Sequence, residues 1–124
     1  MDKQQKQAGR LTTHVLDTMS GRPAAGVGID LFRITGDCRQ LIGSVKTNSD
    51  GRCDHPLLEG ADFHAGIYEL VFHIGDYFAN GGDASKDPAF LGDVPIRVGL
   101  AHADQHYHVP LLASPYAYST YRGS

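Results

Sequence analysis

Residues 66–74 read Gly-Ile-Tyr-Glu-Leu-Val-Phe-His-Ile (GIYELVFHI). Alternation puts Tyr68, Leu70, Phe72 and Ile74 on one side of an extended chain. The stretch is rich in β-branched and aromatic residues, the composition that fits a half-buried pleated surface. It is the clearest strand in the sequence, and runs of the same kind recur on both sides of it. Toward the carboxyl end, residues 76–80 closed by Gly81-Gly82 predict one short helical turn ended by glycine. A polar loop through Pro88 follows, then a strand over 94–100 with Val94, Ile96, Val98 and Leu100 aligned. Two further strands, 105–112 and 116–121, meet at a Ser114-Pro115 corner.

Toward the amino end, Thr47-Asn48-Ser49-Asp50-Gly51 is a strong turn signal, and Arg52 leaves it directly. Before it come strands over 41–45 and 27–34, separated by a turn at Gly36-Asp37, with Val27, Ile29 and Leu31 facing one way. Gly21-Arg22-Pro23 makes another turn. The first strand, 11–17 (LTTHVLD), puts Thr12, His14 and Leu16 on one face and Leu11, Thr13 and Val15 on the other. About eight short strands with hardly any helix specify an all-β sandwich or barrel.

A length of 124 residues supports one core, and hence a single domain over 10–124 behind a solvated tail at 1–9. The net charge of −3 supplies no basic field for nucleic acid or an anionic membrane. No stretch approaches the ~20 apolar residues of a membrane span. Residues 1–10 are polar, without the apolar run of a signal peptide, so a cytoplasmic chain is expected. Two cysteines, Cys38 and Cys53, are too few for a secreted disulfide scaffold and read as reduced thiols.

Seven histidines are scattered along the chain, most of them at turns and strand ends. His106 and His108 flank Tyr107 and so share one face of a strand. Such a pair can bind a metal or share proton transfer, and His14 offers a third nitrogen. Zinc needs further ligands than a lone pair, however, and the cysteines lack CxxC spacing. The other use is metal-free acid–base chemistry with an arginine to stabilise charge. Arg52 fits that role as well as it fits a solvated loop cation. No nucleophile elbow, P-loop or dinucleotide fingerprint is present.

The stretches LTTHVLDT (11–18), GRPAAGV, TNSDGR, GIYELVF and HYHVPLLASPYAYSTYRGS (106–124) together resemble the transthyretin family, and within it the 5-hydroxyisourate hydrolase branch. The terminal Tyr121-Arg122-Gly123-Ser124 is the most specific element. The resemblance implies a two-sheet sandwich of four strands each with a short helix after the fifth strand. It also implies a homotetramer, a dimer of dimers with active sites at the subunit interface. The catalytic residues it implies are His14, Arg52, His108 and Ser124, and substrate contacts come from His14, Arg52, Tyr121, Arg122, Gly123 and Ser124. The small-molecule substrate is 5-hydroxyisourate, opened by water to 2-oxo-4-hydroxy-4-carboxy-5-ureidoimidazoline in urate degradation. No metal and no cofactor are expected, because the reaction involves neither redox nor group transfer. The competing expectation is a non-enzymatic carrier that holds an aromatic ligand in the tetramer channel. Pro110 cannot donate to a ladder, so a bulge or unpaired position is expected to bend the strand beside His108.

Overall fold

Alternation along 11–17 becomes strand β1 (Arg10–Asp17), in which Leu11, Thr13, Val15 and Asp17 are buried and the residues between them are not. The structure is a computed structural model that describes residues 9–80 and 88–123. Along the chain follow β2 (Arg22–Pro23), β3 (Gly28–Thr35), β4 (Cys38–Lys46), β5 (Leu58–Glu59), β6 (Gly66–His73), α1 (Ile74–Asn80), β7 (Asp93–Leu100), β8 (His106–Ser114) and β9 (Ala117–Thr120). One sheet runs β2-β1-β8-β9, with β5 also on β1; the other runs β4-β3-β6-β7. Their facing sides share one apolar core, in which Leu11, Val15, Ile29, Tyr68, Leu70, Phe72 and Leu111 are almost wholly inaccessible. Emptying one such site, as in Leu70→Ala, costs about 2–5 kcal/mol.

The expected strands are all found, and their bounds differ by at most three residues. Ile74 lies on the buried side as expected but already belongs to α1. The helix therefore begins before residue 76, and the Gly81-Gly82 stop lies outside the described residues. Residues 1–8 of the expected tail lie outside them as well, whereas Gly9 is buried and its carbonyl accepts from the Gly60 amide at 3.3 Å. No helix among the described residues is long and apolar enough to cross a membrane.

One sheet departs from the four strands the resemblance implied. The free edge of β1 is covered by three short pieces rather than by one strand. Leu58–Glu59 pairs with Arg10–Leu11, Arg22–Pro23 pairs with Leu16–Asp17, and Arg52 makes an isolated bridge to His14 between them. The turn expected at 21–23 is thus partly a two-residue strand. Short pieces suffice because each satisfies only the few β1 amides and carbonyls in front of it.

β1 and β8 run parallel in unbroken register from Arg10 opposite His106 to Asp17 opposite Ala113. Buried Thr13 ties the pair by donating from Oγ1 to the Val109 carbonyl at 2.7 Å. Pro110 causes no bulge here, contrary to one expected outcome. The other outcome is found on the β9 side, where pairing stops at Leu111 opposite Thr120 and resumes as a bridge between His108 and Gly123. The skipped position is where proline has no N–H to give. Thr120 Oγ1 donates to the Pro110 carbonyl at 2.7 Å instead.

On the outward side of the other sheet, Glu69 is only 7% exposed, and it accepts from Arg39 at 3.2 Å and Arg97 at 3.1 Å. Beside it the ring of His73 spans Asp93 (2.8 Å from Nδ1) and Asp30 (3.0 Å from Nε2), linking three strands.

Candidate active site

Because β1 and β8 are parallel and in register, residues opposite one another share a face. The outward face therefore carries Arg10, Thr12 and His14 on one strand beside His106, His108 and Pro110 on the other. Polar side chains point out here because their neighbours Leu11, Thr13, Tyr107 and Val109 fill the core.

Arg52 reaches this face from the 47–51 turn. Asn48 Oδ1 accepts from the Asp50 amide at 2.9 Å and the Arg52 amide at 3.2 Å, and the Asn48 carbonyl accepts from Gly51 N–H at 2.9 Å. Gly51 sits at φ +73°, and a Cβ there would come within 2.5 Å of the Val15 carbonyl oxygen, so only glycine fits. Its own carbonyl accepts from Val15 N–H at 2.8 Å, which locks the turn onto β1 and sets Arg52 opposite His14. The tail comes from the other side: Gly123 N–H donates to the His108 carbonyl at 2.7 Å.

A cleft of about 400 Å³ opens on this face, lined among others by Arg10, Thr12, Arg52, Asp54, His106 and His108. The rings of His14 and His108 lie 6.5 Å apart, and those of His106 and His108 lie 6.4 Å apart. Thr12 Oγ1 is 2.8 Å from His106 Nε2 and 2.8 Å from His108 Nδ1. Partial burial lowers all three imidazoles from their ordinary value of 6.5, helped by the Arg52 cation at His14 and His108 and by Arg10 at His106. All three are therefore neutral at pH 7, with lone pairs available for protons. Among the described residues no three His, Cys, Asp or Glu side chains converge as metal ligands. Cys53 lines the cleft, half-buried, and burial pushes its thiol up, so it is no thiolate at neutral pH.

Of the residues singled out in the sequence, His14, Arg52, His108 and Gly123 are thus brought together. The side chain of Arg122 is engaged elsewhere, donating to Gln105 Oε1 at 3.2 Å with its guanidinium 4.3 Å over the Tyr107 ring. Tyr121 is exposed, and Ser124 lies outside the described residues. Sequence reasoning missed Thr12 and Arg10 and left His106 outside the candidate set in favour of His108. The signal for Thr12 was present, since alternation already set it on the His14 face. What the sequence lacks is the parallel pairing that brings it level with His108.

Residues 11–123 match the model of the HIUase/Transthyretin family. The chain is 67% identical over 118 residues to "5-hydroxyisourate hydrolase 2" of Rhizobium meliloti, covering 95% of this chain and 98% of that one. Among solved structures, (S)-allantoin synthase superposes with a TM-score of 0.88 at 45% identity, over 95% of this chain. This chain spans only 44% of that protein's length. The 5-hydroxyisourate hydrolase of Klebsiella pneumoniae superposes with a TM-score of 0.78 at 33% identity, over 94% of this chain and 99% of its own.

Proposed function

The chain belongs to the HIUase/transthyretin family, and on that premise we propose that it is a 5-hydroxyisourate hydrolase acting through the His108–Arg52 cleft. The observation that carries this reading is the cleft itself. A permanently charged guanidinium and neutral imidazoles line one open pocket in a chain whose relatives of that name match nearly its whole length. A carrier for an aromatic ligand would want apolar walls there, and Arg10, Arg52, Asp54, His106 and His108 are the opposite.

The chemistry follows from the groups present. The substrate is a flat, polar heterocycle. Arg52 offers a planar fork of donors to its carbonyl oxygen and to the oxyanion that forms there. His108 takes a proton from water as the water oxygen bonds to the ring carbonyl carbon. The carbon–nitrogen bond then breaks, the imidazolium returns its proton to the leaving nitrogen, and the ring opens to a carboxylic acid that ionises by releasing its proton to solvent water. His14 stands beside His108 and opposite Arg52, where it contacts the substrate or orients the water. Gly123 fixes the His108 ring, the family resemblance assigns Tyr121 and Ser124 to the same site, and Arg122 fastens the segment to Gln105 and Tyr107. The reaction needs no cofactor.

The assembly belongs to the same reading. β9 forms one edge of its sheet and is exposed along its length, and β4 and β7 are the two edges of the other sheet. Edges like these are satisfied by pairing between subunits. A homotetramer, a dimer of dimers, would enclose clefts that lie open on a single chain. Light scattering at micromolar concentration should give about four times 13.4 kDa; a fully active monomer would contradict it. Unbonded Cys38 and Cys53 support a cytoplasmic setting.

The test of function is the loss of the substrate's near-ultraviolet absorbance. It should proceed faster with protein than without, in proportion to protein added. Decay unchanged by protein would leave the carrier reading.

A further inference from the structure

Thr12 Oγ1 lies at hydrogen-bonding distance from two imidazole nitrogens at once, 2.8 Å from His106 Nε2 and 2.8 Å from His108 Nδ1. A hydroxyl has a single proton to give. It can donate to one ring only, and must accept an N–H from the other. The two histidines are therefore not independent. If the hydroxyl donates to His106 Nε2, then His108 carries its proton on Nδ1, and its Nε2 is left as a bare lone pair. If it donates to His108 Nδ1, then His108 Nε2 is protonated and cannot serve as a base.

We propose that Thr12 is a positioning residue that holds His108 in the Nδ1–H form and passes the proton taken up at His108 on to His106. The inference rests on the functional reading above for the direction of proton flow. The steps balance. His108 Nε2 bonds the water proton, and the Nδ1–H bond breaks toward Thr12 Oγ1. The original Thr12 O–H bond breaks toward His106 Nε2. The hydroxyl ends with one proton, as it began, and the positive charge ends on His106. Return of the proton to the leaving nitrogen runs the chain backward.

Each ring stands against an arginine, Arg52 at His108 and Arg10 at His106. His108 is faced by three groups that oppose a positive charge on it, Arg52 from the turn, His14 from β1 and His106 from its own strand. His106 is faced by Arg10 from β1, and Arg122 reaches its backbone carbonyl at 3.5 Å. Asp54 and His55 line the cleft beside both rings. Moving the charge to His106 takes it off the ring that stands against Arg52, so Arg52 keeps its full field for the substrate oxyanion. The same linkage makes His106 an off-switch. An imidazolium at His106 must donate to Thr12, which turns the hydroxyl toward His108 Nδ1 and removes the base.

The experiment reads the tautomers by imidazole 15N NMR at pH 8 in the full chain, alongside steady-state kinetics. In the wild type and in Thr12→Ser, His108 should carry its proton on Nδ1. In Thr12→Val it should revert to the Nε2–H form that imidazoles favour in water. The Val variant should lose about 10–100-fold in kcat with KM little changed, the range seen when the partner that orients a histidine is removed. Thr12→Ser should recover most of that loss. Thr12→Ala gives the same comparison if the valine does not fold. An Nε2–H His108 in the wild type would overturn the proposal. So would an unchanged tautomer and kcat in Thr12→Val, or a Ser variant as impaired as the Val one. A wild-type chain that fails to speed 5-hydroxyisourate decay would overturn the functional reading instead, because the tautomer readout uses no substrate.

Discussion

Gly123 pairs with His108 through the backbone and leaves no room for a side chain against its ring: a Cβ at position 123 would come within 2.8 Å of His108 Cδ2 and 3.2 Å of its Cβ. The glycine of the terminal tetrapeptide thus shapes the site by having no side chain. The backbone there is not left-handed, so alanine meets no conformational penalty, only the imidazole. Gly123→Ala is expected to leave the fold intact while turning the His108 ring. Displacements near 1 Å at a reacting group cost on the order of 10²-fold in rate. Steady-state kinetics with a thermal melt checks both halves, and wild-type kcat in a well-folded variant would show that His108 tolerates the shift.

Arg52→Lys keeps the positive charge and loses the planar fork. Its turn is held through the Asn48 side chain and Gly51, not through the arginine side chain, so the fold should survive. Loss of one well-placed electrostatic donor costs about 10²–10³ in kcat. A lysine enzyme with near-wild-type kcat would reduce Arg52 to a source of charge.

His73 lies far from this chemistry. The hydrogen bond it donates to Asp93, joined by the one it donates to Asp30, raises its pKa above 6.5. A raised folded-state value means that the imidazolium stabilises the fold below the unfolded value and that this contribution is lost as pH rises through the folded one. His73→Gln should therefore lower Tm by a few degrees at pH 5.5, where a shift of about 1 kcal/mol moves Tm by roughly 4–8 °C in a small domain. The gap should shrink by pH 9. An equal gap at both values would show that the ring acts by packing alone.

Much of the fold was legible because period-2 alternation is a local signal. The buried sets Leu11, Thr13, Val15 and Tyr68, Leu70, Phe72 follow directly from residue order. The two-residue strands β2 and β5 were not legible, since each exists only because β1 has a free edge to cover. At the site, His14, Arg52, His108 and Gly123 could be named from resemblance to a family. Thr12 and His106 could not be joined from sequence, because 94 residues separate partners that only the parallel β1–β8 pairing brings together. Arg122 carries a charge that looks free in the sequence, yet the structure engages it with Gln105 and the Tyr107 ring.

The central claim is that a neutral imidazole at His108, beside the fixed charge of Arg52, activates water. The dependence of kcat/KM on pH tests it most directly, since it reports the protonation of the free enzyme. Burial, Arg52 and the neighbouring histidines lower His108 below 6.5. Activity should therefore be flat from pH 7 to 8 and fall on acidification with a midpoint under 6.5, in a profile that His108→Asn abolishes. A rate that rises as pH falls, or a midpoint above 6.5, would contradict a neutral histidine base at this site.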